Sequence, residues 1–122
     1  MLPQVFTYQK PEVLVIDKHI IETYLDVFLP GIPMQDRKDP AISPLYADMK
    51  SMKLPSAIFT CGTEDCLLDD TVFMASKWLM AGGEAVMKIY PGGPHGFIMF
   101  AGQENATMGM KDVIEYMVSK SS

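Results

Sequence analysis

Apolar residues follow two rhythms along this chain. Ala57-Ile58-Phe59-Thr60-Cys61 is a nearly unbroken apolar run between Pro55 and Gly62, and Val86, Ile89 and Tyr90 mark a second short run. Short runs bounded by Gly and Pro predict strands, and one with no polar face suits a parallel sheet covered on both sides. Between them Val72, Phe73, Ala75, Leu79 and Met80 predict a helix, capped by Asp69 or Asp70 and closed by Gly82-Gly83. An earlier helix is predicted from Ile20, Ile21, Tyr24, Leu25 and Phe28, with Asp17 as its cap and Pro30-Gly31 as its stop. Met110, Val113, Ile114 and Met117 predict a last helix that starts at Asn105 or Thr107. Residues 3–8 and 12–16 are shorter β-prone runs punctuated by Pro3 and Pro11. Residues 30–53 carry Pro30, Pro33, Pro40 and Pro44 and no sustained period, which predicts a long loop that is functional or tightly pinned.

The alternation of helix, loop, strand, helix, strand, helix predicts an α/β fold with a parallel sheet and a right-handed crossover. That topology gives two polar residues a shared position. Asp65 follows the first strand by a few residues, and His95 follows the second. Strand ends joined by a helix emerge at one carboxyl edge, where ligands and chemistry gather in open α/β sheets. An acid and a histidine delivered there suit an orienting pair: the carboxylate accepts from one ring nitrogen and the other acts as general base. Two other readings use the same residues. Asp69 could replace Asp65 as the acid. Asp65, Asp69, Asp70 and His95 could hold a hard cation such as magnesium or calcium, although a helix start explains Asp69 and Asp70 more simply. His19 lies in the first turn of the earlier helix, where a solvated surface role is simpler than a catalytic or metal one. Trp78 reads as packing rather than a ligand platform.

Composition narrows the partners. The 122 residues suffice for one domain, and 48% hydrophobic with 20% charged residues is an ordinary globular balance. A net charge of −5 argues against nucleic acid, which needs a basic face. No apolar run approaches the roughly 20 residues of a membrane span. The opening M-L-P-Q-V-F-T-Y-Q-K has no basic head before an apolar core, so no signal peptide is expected. Cys61 and Cys66 match no metal or CxxC spacing and read as two reduced thiols, which fits a cytoplasmic location. The eleven methionines read as core filler. No cofactor motif is visible.

Four pieces in order carry a family resemblance: D-P-A-I-S-P-L-Y-A-D at 39–48, L-P-S-A-I-F-T-C-G at 54–62, D-C-L-L-D-D at 65–70 and Y-P-G-G-P-H-G-F at 90–97. Over roughly residues 20–118 the chain resembles the α/β-hydrolase fold, in particular the hormone-sensitive-lipase-like, or fold-3, esterases. The resemblance implies a single partial α/β-hydrolase domain over 1–122: carboxyl-terminal strands of a parallel sheet, their crossover, and the last helices. It implies Asp65 as triad acid and His95 as triad base, with a small ester as substrate of the complete enzyme. Gly92, Gly93 and Gly96 would let the histidine loop turn tightly, and Phe97 would pack beneath it. Cys66, Leu68 and Asp70 depart from the usual Pro, Arg and Glu of the acid turn and leave both roles intact.

The same resemblance exposes a gap. The fold's chain order is serine, acid, histidine, with the serine in a G-x-S-x-G elbow. Ser43, Ser51 and Ser56 precede Asp65 without that flanking, and no H-G-G-G loop is present. The expectation is therefore an esterase-type portion, inactive alone, with an exposed sheet edge prone to self-association. The alternatives are a non-catalytic α/β binding or regulatory module, favoured by authentic initiation at Met1, and a flavodoxin-like domain, favoured by flavin or phosphate binding.

Overall fold

The computed structural model describes residues 15–121. The predicted run at 3–8, and residues 12–14 of the next, lie outside them. Val15 and Ile16 are not in a strand.

Five regular elements carry the fold: α1 (Lys18–Phe28), β1 (Ala57–Gly62), α2 (Leu68–Met80), β2 (Ala85–Tyr90) and α3 (Glu104–Lys120). β1 and β2 are parallel neighbours in register, with Ala57 beside Ala85 and Gly62 beside Tyr90. α2 is the crossover and packs on both strands. Both strands therefore end at one edge of the sheet. β1 is half-buried from Ala57 to Thr60 and fully buried only at Cys61 and Gly62, so the continuous cover expected for it is present only at the site end.

Local chemistry sets the boundaries. The Ile20 amide donates to Asp17 Oδ1 (2.8 Å), the predicted cap of α1. Its inward face is narrower than the apolar stripe: Ile21 is buried against Cys66, while Tyr24 and Phe28 are exposed. α2 corrects the expected cap. It begins one residue before Asp69, with Leu67 at the cap position and no side-chain cap bond. Asp69 and Asp70 occupy its first turn, where negative charge suits the helix dipole. Gly82 ends the helix at φ 86°, a left-handed turn. Trp78 packs edge-on against Phe59 (centroids 5.9 Å apart), and its Nε1–H donates to the Pro55 carbonyl (2.9 Å).

α3 starts at Glu104, just ahead of the predicted residues, with Gln103 at the cap position. Its inward contact is made by small residues, Ala106 and Gly109, rather than by the predicted Met110, Ile114 and Met117, which are exposed. Phe97 explains this: its ring occupies the space a side chain at 109 would need. The long 30–53 segment is pinned, as expected, around three short 3₁₀ turns. Arg37 donates to the Ile32 carbonyl and to Asp26, and Lys77 of α2 donates to the Leu45 carbonyl. Among the described residues no helix is long and apolar enough to cross a membrane.

Candidate active site

The loops that leave β1 and β2 are laced together before either functional side chain is reached. Thr63 N–H donates to the Tyr90 carbonyl (3.1 Å), and Glu64 N–H donates to the Gly93 carbonyl (3.0 Å). In return the Gly92 amide donates to Thr63 Oγ1 (2.8 Å). The backbones also touch: a Cβ on Gly62 would lie 1.8 Å from the Gly93 oxygen. The histidine-loop glycines then divide their roles. Gly92 (φ 77°) and Gly96 (φ 68°) take left-handed turns, whereas Gly93 approaches closely, a Cβ on it lying 3.2 Å from Gly62 Cα and from Phe97 Cγ.

This lacing brings Asp65 and His95 together. His95 Nδ1 lies 3.0 Å from Asp65 Oδ2, at the shared carboxyl edge of the sheet. The histidine side chain stays 41% exposed while the carboxylate is only 9% exposed. A buried carboxylate is costly unless its oxygens are bonded, and here both are. Oδ1 accepts from the Leu67 amide (2.8 Å), and the Cys61 thiol lies 3.6 Å from Oδ2. Because Oδ2 accepts, the facing Nδ1 carries hydrogen, and Nε2 is left for proton transfer. Phe97 is buried under the loop, stacked at a tilt on Tyr90 with centroids 4.8 Å apart. Tyr90 is anchored in turn, its hydroxyl donating to Asp112 of α3 (2.5 Å).

The other candidates fall elsewhere. His19 is exposed on α1. Asp69 is on α2 and not on the His95 ring. No group of three or more His, Cys, Asp or Glu among the described residues could hold a metal ion, so the hard-cation reading has no site there. Cys61 and Cys66 are free and buried. Burial pushes the Cys61 thiol up to about 11 and raises Cys66 as well.

Each serine between 43 and 121 donates its hydroxyl to a partner other than His95. Ser43 donates to the Arg37 carbonyl (2.7 Å) and Ser51 to the Asp48 carbonyl (3.0 Å). Ser56 donates to Glu84 (3.2 Å), before the amino ends of the strands and so at the opposite edge from His95. Ser76, Ser119 and Ser121 donate to carbonyls of their own helices.

Sequence reading missed Gly62, Cys61 and the Leu67 amide as parts of this site. A glycine directly after a buried strand is a signal for close backbone approach. Nothing in the residue types announces that the thiol four positions before Asp65 reaches its carboxylate.

Two parallel strands joined by a helix thus carry an acid–histidine pair at their shared carboxyl edge. The chain belongs to the α/β-hydrolase family: the profile of the alpha/beta hydrolase fold matches residues 4–99. Among solved structures it is similar to the hormone-sensitive-lipase homologue EstE7 from a metagenome library, at 27% identity and a TM-score of 0.77, over 87% of this chain and 35% of that one. It is similar to a further hormone-sensitive lipase from a metagenome library, at 28% identity and a TM-score of 0.77, over 88% of this chain and 36% of that one. The fold is also that of the hyperthermophilic esterase from the archaeon Pyrobaculum calidifontis, at 23% identity and a TM-score of 0.82, over 98% of this chain and 38% of that one. The chain thus spans a little over a third of the length of these structures, a partial α/β-hydrolase fold. No curated protein matches it.

Proposed function

We propose that this chain supplies the acid and the base of a serine-type carboxylic ester hydrolase, with the nucleophile contributed from outside residues 15–121. The observation that carries the reading is the Asp65–His95 pair, 3.0 Å apart at the end of two adjacent parallel strands. The similarity to hormone-sensitive-lipase homologues supports esters as the substrate class. In such a site His95 Nε2 takes the proton of an attacking serine and later hands it to the leaving alkoxide. Asp65 holds Nδ1–H and stabilises the imidazolium between the two steps. Water then repeats the sequence on the acyl-enzyme.

The engaged serines support the second half of the reading. None of the six described serine hydroxyls is bonded to His95, and the sequence has no G-x-S-x-G elbow. By itself the chain should therefore hydrolyse p-nitrophenyl esters no faster than its His95→Ala variant. A serine-directed phosphonate should leave it unlabelled. Catalysis that His95→Ala abolishes and the phosphonate blocks would place the nucleophile inside the chain after all. The role of the pair is tested in a chimera with this chain replacing the matching third of the metagenome homologue. Ester hydrolysis should fall by roughly a thousandfold or more on His95→Ala. A folded, phosphonate-reactive chimera whose rate survives that change would remove His95 from the mechanism.

A further inference from the structure

The sulfur of Cys61 approaches the same oxygen, Oδ2 of Asp65, that faces the His95 ring. From this geometry we infer that Cys61 is a positioning residue for the pair, its S–H sharing Oδ2 with His95 and moderating the hold of the carboxylate on the imidazole. The inference rests on the acid–base reading of Asp65 and His95 given above.

The carboxylate is gripped from three directions. The Leu67 amide fixes Oδ1, which sets the plane of the group. Oδ2 is then shared between a ring nitrogen at 3.0 Å and the thiol at 3.6 Å, a normal reach for sulfur. The thiol has a second acceptor, the Gly62 carbonyl, also at 3.6 Å. Cys61 is buried at the last paired positions of β1, so water is no substitute donor. With its titration displaced to about 11, chiefly by burial and in part by the charge of Asp65, against a hydrogen bond from Thr71 that lowers it, the thiol keeps its proton at neutral pH and serves as a donor. Each donor on a carboxylate draws charge from the others. Removing the S–H therefore leaves more charge for Nδ1–H and shortens that bond. A purely packing role has the opposite consequence: a cavity at 61 loosens the carboxylate and weakens its bond to His95.

The sign is read by proton NMR of the full chain at fixed pH, on the Nδ1–H resonance of His95. The second histidine, His19, is exposed on α1 and serves as internal control. In Cys61→Ala the His95 resonance should move downfield, and in Cys61→Ser, which keeps a donor, it should move back toward the wild-type position. His19 should not move. An unchanged or upfield resonance in Cys61→Ala overturns the inference. Asp65→Asn separates the two levels. If it removes the downfield resonance while Cys61→Ala has no effect, the pair stands and the thiol has no part in it. If Asp65→Asn also changes nothing, the pairing itself is refuted. Should Cys61→Ala fail to fold, the wild-type S–H infrared stretch decides. It should lie below that of Cys66, whose acceptor is the Ile16 carbonyl, and rise in Asp65→Asn; a stretch unaffected by Asp65→Asn rejects the contact.

Discussion

Gly62 is the residue through which sheet geometry becomes site geometry. It ends β1, and a Cβ there would fall on the backbone of Gly93 in the histidine loop, at the same edge of the sheet. Backbone cannot swing aside as a flexible side chain does. Gly62→Ala should therefore cost about 3 kcal/mol, the upper part of the range for overpacking. It should also spread the loops that carry Asp65 and His95. Urea unfolding measures the first effect, and loss of the hydrogen-bonded Nδ1–H resonance of His95 reports the second. Wild-type stability with an intact resonance would mean that the two loops are positioned by something other than this contact. The residue types made Asp65 and His95 legible because each follows an apolar run that only a strand explains. Gly62, Cys61 and the Leu67 amide were not, because their roles depend on what the facing loop brings within reach.

The helices show a second limit of sequence reading. Periodicity picked out large apolar residues, yet the inward face of α3 is built from Ala106 and Gly109, because the Phe97 ring fills the space above them. A Cβ at Gly109 would sit 2.9 Å from Phe97 Cε2. Alanine in a helix interior is favoured over glycine by about 1 kcal/mol, but here the clash with a buried ring outweighs that gain. Gly109→Ala should lower the melting temperature, and a rise would show that Phe97 has room to yield. The start of α2 was misread for a related reason. Asp69 and Asp70 look like caps, but Asp65, two residues before Leu67, takes its amide. By contrast, the start of α1 was readable because Asp17 accepts from an amide of its own first turn.

Charge also ties elements together, with a defined pH dependence. The hydrogen bond from Tyr90 holds the Asp112 carboxyl below the usual range, helped by Lys88. Lys120 of α3, with Ser56, does the same for Glu84 at the start of β2. Groups with folded values below their unfolded ones stabilise the fold above the unfolded value, and lose that contribution as pH falls through the folded one. The urea midpoint should therefore hold near neutral pH and fall below about pH 4. Tyr90→Phe should flatten the acid limb by removing the main influence on Asp112. An equal acid slope in wild type and Tyr90→Phe would assign the effect to other carboxylates.

At the scale of the whole molecule, the fold was legible as a partial α/β unit, and the pattern of exposure shows the same incompleteness. Parallel strands are stable when both faces are covered, yet β1 is half-exposed over four of its six residues. Among the described residues, large apolar side chains face solvent in several regions, among them Val27 and Phe28 on α1, Leu79 and Met80 at the end of α2, and Met99, Met117 and Val118 around α3. Met99 is 83% exposed and Val27 76%. The similar esterase structures have nearly two thirds of their length beyond the part this chain matches. Surface of this kind drives association or dye binding in water. The chain should therefore scatter light as more than its 13.6 kDa monomer, increasingly with concentration. It should also bind an apolar dye. Charges placed separately in the first and last of these regions, Val27→Glu with Phe28→Glu and Met99→Glu with Met117→Glu, locate the contact: the pair that restores the monomer marks the face. Association that neither pair disrupts would move the contact to the exposed end of α2, at Leu79 and Met80, or to the strands themselves. A wild-type chain that stays monomeric at high concentration and binds no dye would overturn the expectation of self-association.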